Sequence, residues 1–195
     1  MRLGFTLAFS WGSALLGGLL CLFLASCSSS RFSSKFDYSF SKLIAKEGGY
    51  VSNPVDPGGE TKFGISRKAY PSIDIKSITL EQAKRIYYED YWRKAKIHRV
   101  LNWDVASKLL DIVVNFGENQ AKEIIQRSLM SVHRRPRMGL EGKWSRLVEL
   151  VNGVSNNEAL LAALRSEQAA VYRMIVQKKE PLNIFLDGWL IRAYS

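Results

Sequence analysis

Residues 50–66 are the one stretch of this chain whose pattern is not helical, and that exception limits the fold more than any other feature. Asn53-Pro54 and Asp56-Pro57-Gly58-Gly59 are turn signals. Proline presets φ at the second turn position, glycine supplies positive φ, and the Asp56 side chain bonds its own backbone. Thr61 then stands beside Phe63 and Ile65 in a short strand-like run. The stretch reads as a small hairpin, so the expected fold class is mainly α: α+β with one β-hairpin and a helical C-terminal lobe.

The helices follow from periodicity and punctuation. Phe36, Phe40, Leu43 and Ile44 recur at three- and four-residue intervals, which predicts a helix over 36–47. Thr79-Leu80-Glu81-Gln82 is a capping box that opens a helix reaching Tyr91 or Trp92. Of its Tyr87, Tyr88, Tyr91 and Trp92, about two are expected in the core. A largely apolar helix is expected over 103–116, ended by Gly117, and it reads as the central helix. Shorter helices are expected over 119–130 and 144–151, the latter stopped at Gly153. Asn157 is expected to cap a long helix to about Lys178, and Pro181 to break the chain before a last helix over 183–194.

Glu47 continues the apolar stripe of the first helix, four residues after Leu43 and three after Ile44. Gly48 and Gly49 are expected to end that helix. A carboxylate at the negative end of a helix dipole, beside apolar groups, is disfavoured in its ionised form. Both effects raise its pKa, as a general acid needs. Asp56 follows nine residues later and Thr61 five beyond that. On composition Asp56 reads as a turn initiator. Its functional reading is a second carboxylate facing Glu47, with the Thr61 hydroxyl orienting a water. Inverting glycosidases hold two such carboxyls about 6.5–9.5 Å apart.

Glu47-Gly48-Gly49-Tyr50, the turn-rich run, Asp56-Pro57-Gly58-Gly59 and Thr61-Lys62-Phe63-Gly64-Ile65-Ser66 together resemble the start of glycoside hydrolase family 108, lysozyme-like N-acetylmuramidases. The resemblance implies that Glu47 is the catalytic acid. The same stretch is similar to phage-type lysozymes, in which an aspartate also follows the glutamate by nine residues; there the threonine comes one position later than Thr61. That likeness implies catalytic roles for Asp56 and Thr61. Gly49, Tyr50, Lys62 and Gly64 of the same motif are expected to contact substrate, and so is Tyr91, since aromatic faces stack on pyranose rings. The segments Asp111-Ile112-Val113-Val114-Asn115-Phe116-Gly117 and Phe185-Leu186-Asp187-Gly188-Trp189-Leu190-Ile191-Arg192 resemble those that open and close the family's C-terminal region, predicted to bind peptidoglycan. Where relatives carry a short Asp-Gly…Gly-Pro loop, this chain reads Arg137-Met138-Gly139-Leu140-Glu141-Gly142-Lys143.

Arg2 precedes an uncharged, largely apolar run over 3–24, with small residues after it, as in a secretory signal. Its length also permits a membrane-spanning helix. The ending Leu24-Ala25-Ser26-Cys27 resembles a bacterial lipobox, which implies cleavage before Cys27 and acylation of that residue. Ser28 resembles the sorting context for the outer membrane, giving an exported, lipid-anchored protein on its periplasmic face. The expected organisation is a signal peptide over 1–26, a serine-rich tether over 27–35, a catalytic region over 36–110 and a helical wall-binding region over 111–195.

Cys21 would leave with the signal and Cys27 be taken by lipid, so neither a disulfide framework nor a thiol nucleophile is expected. His98 and His133 are far apart and lack metal-ligand spacing, so no metal or other cofactor is expected. The net charge of +10 becomes +9 without the leader, whose only charge is Arg2. Such charge suits a polyanionic partner. Arg134-Arg135-Pro136-Arg137 carries no accompanying nucleic-acid motif, so the expected partner is anionic peptidoglycan rather than nucleic acid. A monomer is expected. Three other readings stay open: a lytic transglycosylase, a non-catalytic wall-binding lipoprotein, and an assembly partner of a secretion apparatus.

Overall fold

The computed structural model describes residues 32–45, 50, 59–132 and 143–195. Expectations placed on the leader and Cys27, on Glu47, Gly48, Gly49 and Asp56, and on His133 and the arginine-rich loop lie outside those residues. Six α-helices, one two-stranded antiparallel hairpin and short tighter or wider turns make up the described part. The fold is mainly α with a small hairpin, as expected.

Helix α1 spans Ser34–Ile44, its first turn closed by the Ser33 side chain accepting from the Phe36 N–H. It buries Phe36, Phe40 and Leu43. Its last residue is Ile44, the last apolar residue of its periodic stripe. Strands β1 (Thr61–Lys62) and β2 (Ile65–Ser66) pair with Thr61 opposite Ser66 and Lys62 opposite Ile65. Their two-residue link, Phe63-Gly64, has φ of 52° and 75°. Positive φ at both positions gives the turn whose twist matches the strands it joins.

Helix α2 (Leu80–Ile86) opens on the expected capping box between Thr79 and Gln82. It widens without interruption into a π-helix over Tyr87–Arg93. That wider turn drives Tyr87 and Trp92 fully into the core while Tyr88 and Tyr91 stay part-exposed, so two of the four aromatic residues are core. The Trp92 ring lies 5.3 Å from Phe36, and Tyr87 lies 5.7 Å from Phe40. These contacts lock α2 onto α1.

The centre is α3, Trp103–Val132, against which α1, α4 and α5 pack. Gly117, with φ 70° and ψ 177°, breaks it where a helix end was expected, and a second helical segment follows across that kink. A Cβ at Gly117 would meet nothing within 4 Å, so glycine serves the backbone angle there rather than a close approach. Helix α4 (Trp144–Asn152) ends at Gly153 as expected. Helix α5 (Asn157–Lys178) is capped by Asn156 rather than Asn157. Asn156 holds the extended backbone that a cap requires and accepts from the Ala159 N–H at 3.0 Å, whereas Asn157 is already helical. Beyond it, Glu180–Phe185 forms a 3-10 helix with Pro181 in its first turn, and α6 begins only at Leu186, running to Tyr194.

A buried polar knot ties α3, α5 and α6 together. Asp111 accepts from Arg192 Nε at 2.9 Å and from Gln168 Nε2 at 3.0 Å. Lys108 donates to the Ala193 carbonyl at 2.8 Å and to Gln168 Oε1 at 3.2 Å. Beside the knot, the Tyr172 ring sits 4.9 Å from Phe116 and stacks 5.2 Å from Trp189. The two segments singled out as opening and closing the C-terminal region therefore meet in space, directly through the Asp111–Arg192 charge pair and indirectly through Tyr172, whose ring touches both Phe116 and Trp189. One buried core runs from Phe36 to Ala193, and α3 carries the chain across the 110–111 boundary.

Candidate active site

The hairpin register explains the best-defined polar group near the site. Extending Thr61–Ser66 by one position sets Glu60 opposite Arg67, and the Arg67 N–H donates to the Glu60 carbonyl at 2.8 Å. Their side chains also meet, Arg67 Nη2 to Glu60 Oε2 at 2.9 Å, while the Tyr50 hydroxyl donates to Glu60 Oε1 at 2.9 Å. Arg67 reaches on to the Ile73 carbonyl at 2.8 Å, fixing the hairpin base to the following loop. The hydrogen bond from Arg67, and then that from Tyr50, holds the Glu60 carboxyl below its ordinary pKa. Glu60 is therefore an ionised organiser of the hairpin, unable to serve as a proton donor at neutral pH.

Four of the expected site residues belong to this unit. Thr61 is half-buried in β1, directly after Glu60. Lys62 donates to the Lys76 carbonyl at 2.9 Å and lies 5.4 Å from the Phe63 ring centre. Gly64 takes the left-handed conformation of the turn. Tyr50 is exposed and joined to Glu60. Phe63 shares that left-handed conformation, which costs a side-chain-bearing residue about 1 kcal/mol or more. Its carbonyl accepts from the Tyr87 hydroxyl at 3.0 Å, so the core of the helical part holds the hairpin tip.

Tyr91, the remaining described candidate, is linked through that contact. Its ring lies 5.6 Å from Tyr87, and it lines a cavity of about 120 Å³ with Asp90, Lys94, Glu118 and Trp144. Tyr70 donates to Asp90 at 2.8 Å. Burial raises the phenol pKa of both Tyr70 and Tyr91, so both stay protonated hydrogen-bond donors. A larger cavity, about 290 Å³, opens where α1 ends, lined by Leu43 and Ala45 with Lys42, Asp104 and Arg165. Lys42 donates to Asp104 at 2.9 Å and Tyr38 to the same carboxylate oxygen at 2.5 Å. The bond from Tyr38, followed by that from Lys42, holds the Asp104 pKa down. Glu47 follows Ala45 by two residues in sequence. Among the described residues no group of His, Cys, Asp and Glu is placed to hold a metal ion, and His98 is exposed.

Sequence reasoning passed over Glu60 and Arg67. Their signal was opposite charge at positions symmetric about Phe63-Gly64, visible once the turn is fixed. Replacing Arg67 with Ala is expected to raise the Glu60 pKa towards the ordinary carboxylate value, and Tyr50→Phe to raise it less, as read by NMR titration of the carboxyl carbon. A depressed carboxylate stabilises the fold above its unfolded pKa and loses that contribution as pH falls through the folded value. In Arg67→Ala, that part of the acid limb of the stability curve shrinks.

Residues 40–117 match the family model described as Glycosyl hydrolase 108. The match takes in the whole Glu47-to-Gly64 motif and ends on Gly117, the break in α3. Among solved structures the chain is similar to SagA from Brucella abortus, at 23% identity over 81% of this chain and 88% of that one, with a TM-score of 0.62. At that identity the likeness concerns the fold, and it agrees with the mainly helical architecture. No curated protein matches the chain.

Proposed function

We propose that the chain is a peptidoglycan hydrolase that cleaves the β-1,4 bond between N-acetylmuramic acid and N-acetylglucosamine. The observation that carries this reading is the glycosyl hydrolase 108 match over residues 40–117, because it covers both carboxylates and the threonine of the motif at once. In this reading Glu47 donates its proton to the leaving glycosidic oxygen. Asp56 acts as base or electrostatic partner, and Thr61 positions water for a single displacement with inversion. Gly49, Tyr50, Lys62, Gly64 and Tyr91 line the path of the glycan. The charge of +10 favours an anionic wall. Residues 111–195 supply a helical surface for the same polymer, and the lipid on Cys27 holds the enzyme at a membrane facing it.

The rigidity of the hairpin supports the role given to Thr61. Its neighbour Glu60 is bonded on both carboxylate oxygens, and the turn beyond it is clamped by Tyr87. A threonine on a strand held so firmly starts from a fixed backbone position from which to orient a water. The deciding experiment is mass spectrometry of purified peptidoglycan after digestion. Muropeptides with reducing N-acetylmuramic acid ends are expected. Anhydro ends would make the enzyme a transglycosylase, and wall binding without products would make it a binding protein.

A further inference from the structure

The loop between the π-helix and α3 holds apolar groups out in solvent, and it is held there rigidly. Leu101 is 73% exposed and Trp103 is 46% exposed. The Asn152 side chain clamps this loop twice, accepting from the Leu101 N–H at 2.9 Å and donating to the Arg99 carbonyl at 2.9 Å. Lys35 donates to the His98 carbonyl at 3.2 Å and also to that of Val100. The Trp103 ring rests 5.7 Å from Tyr38. A flexible loop could fold a leucine away, whereas this one is fixed by side chains from α1 and α4 in the conformation that displays it.

Two further observations say what covers this knob. Immediately before it, residues 93–99 carry Arg93, Lys94, Lys96 and Arg99 with no acidic residue among them. Arg93, Lys94 and Arg99 are exposed. Asp104, beside Trp103, is already paired with Lys42 at 2.9 Å, while Asp90 and Glu118 share a neighbouring cavity with Lys94. The knob also lies where the N-terminal segment joins the fold. Lys35, in the first turn of α1, bonds the loop itself, and Phe32 packs 5.0 Å from Tyr88. The residues before Phe32 include the uncharged apolar run over 3–24.

We infer that Leu101 and Trp103, backed by the basic run Arg93 to Arg99, form a contact surface for a lipid bilayer with anionic headgroups. An indole and an aliphatic side chain beside clustered cations are the components of an interfacial membrane contact. The rings and methyls enter the headgroup boundary, and each nearby lysine or arginine adds attraction to anionic lipid. A lipid on a flexible serine-rich tether holds the protein at the membrane without orienting it, so a second, protein-borne contact fixes its orientation. A glycan partner would suit the tryptophan alone; the exposed leucine favours lipid. The inference rests on the membrane tether proposed above, not on the hydrolytic reaction.

The test uses the full chain mixed with vesicles of phosphatidylethanolamine and phosphatidylglycerol, with and without brominated acyl chains. Trp92, Trp144 and Trp189 are buried in the protein, and Trp11 lies in the apolar run. The emission lost in Trp103→Phe therefore isolates Trp103. That component is expected to shift to the blue and be quenched by brominated lipid. Leu101→Asp is expected to release the quenching while the protein still floats with the vesicles. Flotation without quenching of Trp103, or quenching that survives Leu101→Asp, would overturn the contact and leave the tether standing. Failure to float would overturn both.

Discussion

Replacing Glu47 with glutamine is expected to leave the fold intact and slow glycan cleavage by about 10²–10⁴-fold, the usual contribution of a positioned general acid. The amide matches the carboxyl in size and lacks only the proton it would donate. Release of reducing ends measures the loss, and an unchanged circular dichroism melt shows that it is chemical. Glu60→Gln is the informative partner. Glu60 stands in the same motif, but Arg67 and Tyr50 keep it ionised. Its loss is expected to weaken the hairpin and lower the rate less than Glu47→Gln. Equal losses in the two variants would move the acid away from Glu47.

The second large effect is on stability. Asp111→Ala is expected to destabilise the protein by about 3–5 kcal/mol, the cost of removing one partner of a buried ion pair. The carboxylate is about 5% exposed, and it answers Arg192 and Gln168 together. Without it, Arg192 and Lys108 are left in the interior with positive charge and a diminished set of acceptors. Urea denaturation measures the loss. A double-mutant cycle with Arg192→Ala is expected to be strongly non-additive, because the two side chains act as one unit. Additive losses would mean that Asp111 stabilises the fold through Gln168 and Asn115 instead.

Local signals explain why much of the fold was legible. The capping box at Thr79, the glycine stops at Gly117 and Gly153, and the periodic stripe of α1 act within a few residues, and sequence displays such effects directly. Departures arose where neighbouring residues compete for one role, as Asn156 and Asn157 do for the cap of α5. They also arose where the helical period itself changes. Nothing in Tyr87–Arg93 announces a wider helix, because its aromatic spacing suits an α-helix equally well. The site shows the same division. Thr61, Lys62 and Gly64 sit on a hairpin that the preceding turn residues announce. The pairing of Glu60 with Arg67 needed the register, and Phe63 at positive φ contradicts the rule that glycine or asparagine fills such positions. The link from Asp111 to Arg192 spans 81 residues and left no local trace.

That separation also bears on the order in which the molecule can be completed. Lys108 and Asp111 lie in the first third of α3, yet their partners lie at Gln168 and at Arg192 and Ala193. A growing chain that has made α1, the hairpin and α3 still lacks the groups that allow those two charges to be buried. Its central helix must keep that face wet until α5 and α6 arrive. Such long-range closure is slow compared with helix formation. The interior is therefore sealed late, and a chain cut before Gln168 would retain every residue of the Glu47-to-Gly64 motif while lacking the means to close the helix behind it.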